Sequence, residues 1–541
     1  MGGNSVFERE TVTRALELAV PFLVTVALAL RLGYYLLDPS LSTDEASLAL
    51  NLMHHSYPGL FGRLEFNQAA PPGFLLVQKL AVDVFGPSPY SLRLFPLLAG
   101  AAACFLFYPV AARIVGRGAA IIALALFALS EPLVSYASTN KQYSVDVAVA
   151  LALYAMTLAI HRRFALRDAV AFALAGGVAV AFSHPAAFVL AALWLVLLVE
   201  NLRARRRPQL LRLSGVGAVW LGALAIAYLV TRASIQQIQH SVAVDSSIPR
   251  TAAWRTAGGV LRYLLAIPSF TPSARTALTF IGIVVALGGL RELSRRNPGF
   301  AAALVGPAVL AIIAVWLGLY PRFPRTFLFL EPALILLIAA GGHSLLTRKH
   351  QQIARAAVGV ALALIVGAAA FQTLRQFRPN VATETSRALS SLVEHARRGD
   401  ALYVSRAAQY DYRYYLECGC FSNAAALARA RQQWPLRPTA GHRQFDAALR
   451  SAPPLFVAGS PASSERDFEA DFAPLARRPR VWVLLINPEP NPMGTRIVTH
   501  ALRKHGRLAD LSPDTSLDAT ASLFLYRARR HGGKGGTSFN A

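Results

Sequence analysis

The sequence predicts a polytopic α-helical membrane protein of about eleven transmembrane helices with a C-terminal extracytoplasmic α/β domain. Three observations predict it. Hydrophobic residues fill 54% of the 541 positions and charged residues only 15%, where a soluble domain carries about 25% charged residues. The mean hydropathy of +0.41 agrees, and a soluble globule so poor in charge could not cover its surface. Apolar runs of the ~20 residues that cross a bilayer recur along the first part of the chain, and beyond position 376 strand-like and helix-like runs alternate instead.

The apolar runs lie near 14–37, 89–112, 118–135, 144–161, 168–184, 186–202, 212–231, 276–291, 300–320, 327–346 and 354–374. The first follows Arg9 and Arg14 without a small-residue cleavage site, so it is expected to anchor rather than be removed. Lys and Arg number 54 against 29 Asp and Glu, a net charge of +25. On a soluble chain that excess would point to nucleic acid. Here it gathers in short clusters between apolar runs, the positive-inside signature of a membrane protein, and no nucleic-acid partner is expected. Placing the N-terminus in the cytoplasm puts Arg113/Arg117, Arg162/Arg163/Arg167, Arg203–Arg212, Arg291–Arg296 and Arg348/Lys349/Arg355 all inside. The long connections 38–88 and 232–275, and everything past 375, then lie outside the inner membrane. Within the first, Ala46–His54 and Phe74–Phe85 are expected along the membrane surface.

Residues 1–375 are thus expected to form the membrane domain. Residues 376–527 form the α/β domain, with strands at Ala401–Ser405, Pro454–Ala458, Val481–Ile486 and Ala521–Tyr526 alternating with helices. A Gly-rich tail, 528–541, has a disordered composition. The three cysteines make no disulfide framework: Cys104 sits in an apolar run, and Cys418-Gly-Cys420 is expected as two thiols.

The residues able to carry chemistry cluster in the outer connections. The first begins Ser42-Thr43-Asp44-Glu45. These residues suit a helix cap with acidic residues in its first turn, or a general base facing a hydroxyl. Further along, Gln68-Ala-Ala-Pro71-Pro72-Gly73 makes a rigid turn. Thr139-Asn-Lys141-Gln-Tyr143-Ser-Val-Asp146 forms a polar connection after the third span. Lys141 either snorkels to the interface or holds an anion. Arg322 and Arg325 sit on the turn Pro321-Arg-Phe-Pro324-Arg, on the side where positive charge is depleted, and Glu331 follows as a candidate ion-pair partner for Arg325.

In order and content these segments resemble the GT-C class of membrane glycosyltransferases. They are most similar to the bacterial protein-mannosyltransferase-like group that includes lipid A aminoarabinose and core galacturonic acid transferases. The matching pieces are Asp44-Glu45, Gln68 to Gly73, Tyr90-Ser-Leu-Arg93-Leu94, Lys141 to Asp146, and Arg325. Where relatives often carry a Glu, Thr139 stands here. The resemblance implies a GT-C-like fold over roughly 10–345 and a polyprenyl-phosphate-linked sugar as donor. An extracytoplasmic glycan, lipid or protein would be the acceptor. It also implies catalytic roles for Asp44, the base, and Glu45. Lys141, Arg325 and Arg322 would hold the donor phosphate, and Gln68, Pro71, Pro72, Tyr143 and Asp146 would support the site. No certain cofactor follows. A divalent metal is left open, and no His/Cys cluster has zinc-ligand spacing. The competing class, a lipid or glycan transporter, would show ionisable groups near the membrane midplane and symmetric broken helices, whereas the charges here gather at one face.

Overall fold

A computed structural model of the chain describes residues 3–38, 40–160, 164–244, 272–321, 323–347, 352–377, 384–405, 408–420, 424–434, 455–457, 465–486, 492–510 and 521–528. Among the described residues, the regular elements of the membrane part are all helices. Helix α1 (Gly3–Leu36) precedes two short elements, α2 (Thr43–His54) and α3 (Pro72–Phe85). The bundle continues with α4 (Pro89–Val115), α5 (Arg117–Ala128), α6 (Glu131–Ser135), α7 (Tyr143–Ile160), α8 (Leu166–Phe182), α9 (Ala186–Arg203) and α10 (Arg207–Val244). It closes with α11 (Pro272–Arg296), α12 (Pro298–Trp316), α13 (Glu331–Leu346) and α14 (Gln352–Gln376).

Among the described residues, nine helices are long and apolar enough to span a bilayer. The pair Arg117–Ala128 and Glu131–Ser138, bent by 60°, is apolar enough to make a tenth if it forms one broken span. Its break has a local cause. Ser130 accepts from the Leu133 amide and so restarts the helix, while Pro132 at its first turn brings no amide to continue the α5 ladder. The remaining expected span, α8, has 17 residues, at the lower end of the length that crosses a bilayer. Conversely, α10 has 38 residues, about 57 Å of helix. The stretch expected as a loop from 232 is therefore helical to Val244, and 245–271 lies outside the described residues.

The span from Pro324 to Leu346 is the most deeply buried of all. It packs on α11 through glycine: a Cβ on Gly289 would run into the Leu337 carbonyl, and one on Gly341 into that of Val285. Small residues let helix backbones approach where lipid supplies no hydrophobic drive.

The C-terminal domain is a mixed five-stranded sheet between two helical layers. Its elements are α15 (Glu384–His395), β1 (Ala401–Val404), α16 (Ala408–Cys418), α17 (Ala424–Gln433), β2 (Leu455–Val457), α18 (Glu465–Phe472), β3 (Val481–Ile486), α19 (Pro492–His505), β4 (Gly506–Asp510) and β5 (Ala521–Ala528). The strand order is β2-β1-β3-β5-β4. β2 and β3 run parallel to β1, while β5 is antiparallel to β3 and β4. The period-2 pleat sends Leu402, Val404, Trp482 and Leu484 toward α15, α16 and α17. It sends Tyr403, Val481, Val483 and Phe524 toward α18 and α19.

Four of the five strands match expected positions, and β4 is additional; the tail from 529 lies outside the described residues. Two expectations are corrected here. Cys418 and Cys420 are disulfide-bonded, because Gly419, at φ +70°, turns the chain back and brings the two Cα atoms to 5.3 Å. Nor does α2 lie on the membrane surface. Glu45 through Leu52 are all buried, sharing one core with α3, α15 and α16.

Replacing Gly341 with Leu is expected to force α11 and α13 apart and to cost more than the ~1–3 kcal/mol of ordinary overpacking. A lower Tm in detergent checks this; an unchanged Tm would mean the crossing yields without loss.

Candidate active site

The site is built around the first turn of α2. Ser42 caps the helix, its Oγ accepting from the Glu45 amide at 3.4 Å while Glu45 Oε2 accepts from the Ser42 amide at 2.9 Å. This reciprocal capping box satisfies two amides that a helix start would leave orphaned. Glu45 does more than cap. Its Oε1 accepts from Arg93 Nε at 3.1 Å and from the Asn140 amide at 2.8 Å. Arg93, on α4, is 1% exposed and also reaches Asp38 and the Ser40 carbonyl, each at 3.4 Å. One carboxylate thus ties together α2, α4 and the polar connection before α7.

Asp44 leaves the helix on a different side. Its Oδ2 accepts from Arg325 Nη2 at 2.6 Å, and its side chain keeps 42% of its surface accessible. Arg325 Nε donates to the Tyr143 hydroxyl at 3.2 Å, and its guanidinium lies over the Phe323 ring, 4.9 Å from the centroid. Tyr143 stands edge-on to Tyr136 at 5.0 Å. Lys141 is buried and donates from Nζ to Gln68 Oε1 at 2.5 Å. Its positive charge, followed by Arg325 and the Gln68 amide, holds Asp44 below the usual carboxylate range although burial acts the other way. Burial in turn lowers the Lys141 ammonium from its ordinary value, against the pull of Asp44.

Gln68 is delivered by a constrained loop. Phe66 and Asn67 take left-handed backbone conformations, φ 60° and 54°, unusual for two successive non-glycine residues. Asn51 holds Glu65 through its amide and carbonyl at 2.7 and 3.1 Å. The far end of α10 holds the rest: Ser234 Oγ accepts from the Leu64 amide at 2.9 Å, and Gln237 donates to Asn67 Oδ1 at 3.0 Å. Pro71 and Pro72 then start α3. Their part is to shape the turn.

Asp44, Gln68, Lys141, Tyr143 and Arg325 therefore converge. Other candidates do not. Glu45, expected beside Asp44 as a catalytic carboxylate, faces Arg93 and the Asn140 amide. Asp146, expected in support, is buried on α7, and among the described residues no hydrogen bond joins it to Asp44, Lys141 or Arg325. Arg325 does not pair with Glu331, whose Oε1 instead takes the Ser130 hydroxyl. Arg322 lies outside the described residues. Three further residues had been given no role: Arg93, Asn140 and Asp411, whose Oδ2 accepts from the Thr43 hydroxyl at 3.1 Å. Arg93 stands in a quoted motif, so a buried partner for an acidic residue was foreseeable; nothing local marks Asp411.

Among the described residues, no three His, Cys, Asp or Glu side chains are grouped to hold a metal ion. A lone carboxylate flanked by an ammonium and a guanidinium suits an anion better than a divalent cation.

The family model for dolichyl-phosphate-mannose-protein mannosyltransferase matches residues 69–231. The resemblance to the mannosyltransferase-like GT-C group holds. The matched stretch carries Arg93, Lys141 and Tyr143, while Asp44 and Arg325 lie outside it. Among solved structures, ArnT from Cupriavidus metallidurans in the apo state is 13% identical, over 94% of this chain and 97% of that one, with a TM-score of 0.48. The same protein bound to undecaprenyl phosphate is 15% identical over the same shares, with a TM-score of 0.45. The Archaeoglobus fulgidus oligosaccharyltransferase in complex with zinc and sulfate is 14% identical, over 94% of this chain and 73% of that one, with a TM-score of 0.43. No curated protein matches the sequence.

Arg93→Ala would leave Glu45 as an uncompensated buried charge, an expected loss of about 3–5 kcal/mol. Asp44→Asn, at a half-exposed position, should leave unfolding nearly unchanged. Urea or thermal unfolding of both purified variants distinguishes the two adjacent acids; equal stability would contradict the division of roles.

Proposed function

We propose that the chain is a membrane glycosyltransferase that moves a sugar from a polyprenyl-phosphate donor to the hydroxyl of an extracytoplasmic glycan, lipid or protein. The observation that carries this is the placing of the accessible Asp44 carboxylate between Lys141 and Arg325. It sets a base beside two fixed cations at the mouth of the bundle. The family match over 69–231 supports the same class of reaction.

The chemistry follows from the three side chains. The donor phosphate bears the charge that Lys141 and Arg325 would neutralise, and that charge grows as the phosphate leaves. The acceptor oxygen forms its bond to the anomeric carbon as the bond from that carbon to the phosphate oxygen breaks. Attack from the face opposite the phosphate inverts the centre. The acceptor proton goes to Asp44, and polyprenyl phosphate departs. Arg325 serves both partners in turn: a phosphate competes with Asp44 for the same guanidinium. As Arg325 shifts toward phosphate, Asp44 loses a positive neighbour and becomes a stronger base, so donor binding prepares the acceptor step. Gln68 orients Lys141, and Tyr143 orients Arg325.

The proposed setting is the inner membrane, with the N-terminus in the cytoplasm and the C-terminal domain outside, because the dense arginine clusters between the apolar runs of residues 1–375 then lie inside. Single cysteines at Arg206 and Arg477, both exposed, check this. An impermeant thiol reagent on intact cells should label only position 477, and the opposite pattern would reverse the active face.

Mass spectrometry of envelope glycans and glycolipids, with and without the gene, should reveal a product that disappears on deletion. Asp44→Asn should fail to restore it, with turnover reduced by roughly 10²–10⁴. Restoration at the wild-type rate would remove Asp44 as base.

Lys141→Ala and Arg325→Ala should each weaken binding of a short-chain polyprenyl phosphate by about ten- to a hundredfold, the loss of one charge-assisted hydrogen bond. The pH profile adds a sign. Asp44 must be ionised to act and is held low in the free protein, so kcat/KM should persist below the ordinary carboxylate range. Removing the Arg325 charge raises Asp44, so the acid limb of Arg325→Ala should move upward in pH. A downward shift would contradict the coupling.

A further inference from the structure

Helix α16 carries Gln-Tyr-Asp-Tyr-Arg-Tyr-Tyr-Leu-Glu and belongs to the C-terminal domain, yet it is buried against the membrane domain's α2. It grips that helix at both ends. At the start, Asp411 Oδ2 accepts from Thr43 Oγ1 at 3.1 Å, and the Tyr415 hydroxyl accepts from the Leu41 amide at 3.0 Å. At the finish, Glu417 takes His54 Nε2 at 2.6 Å and is itself held by Arg413 at 2.7 Å. Tyr414 donates to the Pro87 carbonyl at 2.8 Å, ahead of α4. Tyr410 packs on Phe66, 5.2 Å between ring centroids, beside the loop that delivers Gln68.

We propose that α16 frames the active site from the C-terminal domain. Asp411, through the Thr43 hydroxyl, and Tyr415, through the Leu41 amide, set the first turn of α2 and so aim the Asp44 carboxylate. Asp411 is a positioning residue. The proposal rests on the glycosyl-transfer reading of Asp44.

Simple docking of two domains would not call for Asp411. The residue is fully buried, and among the described residues no salt bridge reaches it. A carboxyl there is costly to ionise: burial first, with Glu45 and Asp44 adding repulsion, pushes it up to about 8. An apolar residue would dock the helix at lower cost. What a neutral carboxyl supplies is a directed hydrogen bond to the residue immediately before Asp44. Glu45 holds the same turn from beneath through Arg93 and Asn140, so Asp44 stands between two independent anchors. Losing one should tilt the turn without releasing the helix.

The test compares Asp411→Ala, Asp411→Asn, Thr43→Val and Asp44→Asn in the full-length protein. Membranes from deletion cells supply the acceptors, and a panel of decaprenyl-phosphate-linked mannose, galacturonic acid and aminoarabinose supplies donors. Released decaprenyl phosphate gives kcat and KM, and Kd for decaprenyl phosphate is measured on purified protein. Asp411→Ala should lower kcat by about 10²-fold, as for a reacting group misplaced by an ångström, while donor KM and Kd stay within about twofold. Asp411→Asn keeps the shape and hydrogen bond of the neutral acid and should restore kcat to within about threefold of the starting protein. If Asp411→Ala does not fold, Thr43→Val breaks the same bond from the other side and should reproduce the kcat loss. Unchanged kcat in Asp411→Ala or Thr43→Val overturns the proposal, as does an Asp411→Asn as slow as the alanine variant. If Asp44→Asn also turns over normally, the glycosyl-transfer reading has fallen. If Asp44→Asn is inactive while the others are normal, only the role of α16 has.

Discussion

The buried contact between Glu45 and Arg93 is the constraint on which the rest of the site depends. Two ionised groups removed from water are tolerable only if each is fully answered, and here each is. Glu45 meets a guanidinium, a helix-capping amide and the amide of Asn140; Arg93 meets Glu45, Asp38 and a carbonyl. Because these partners sit on different segments, satisfying the charges leaves α2, α4 and the polar connection before α7 one arrangement in which to meet. Asp44, one residue away, inherits its position from that arrangement.

The two adjacent carboxylates show how environment divides labour between identical chemistries. Glu45 is enclosed and saturated with donors, so it has no lone pair directed at a substrate. Asp44 is half-exposed and shares its charge with Arg325, a residue placed on a proline-stiffened turn and itself held by Tyr143. The first acid builds the frame, and the second is the carboxylate that the proposed transfer would use as base. Lys141 completes the electrostatics from beneath, kept in place by Gln68 and by a loop whose left-handed residues need Asn51, Ser234 and Gln237 to hold them.

The C-terminal domain belongs to this frame. Its sheet carries one apolar face that continues into the core formed by α2 and α3. The disulfide at Cys418 and Cys420 closes the end of the same helix that grips α2. The site is therefore assembled from distant parts of the chain: the first connection, the segment before α7, the turn before α13, and a helix more than three hundred residues beyond Asp44.

Much was legible in the sequence because it depends on local chemistry and composition. Apolar runs that exceed the reach of a soluble core can only be solvated by lipid. Short apolar runs in Ala401–Ser405 and Val481–Ile486 already marked strands, and Ser42 or Thr43 ahead of Asp44 and Glu45 marked a helix start. The order of acidic, proline-rich and basic segments pointed to Asp44, Lys141 and Arg325. Tertiary structure alone decided which of two neighbouring acids faces the site, because successive side chains on a helix diverge by about 100° and only the surrounding elements say which direction is open. It likewise gave Arg325 to Asp44 rather than Glu331, and brought Asp411 to Thr43. Each of those partners is chosen by packing between segments remote in sequence, and local propensity carries no information about that.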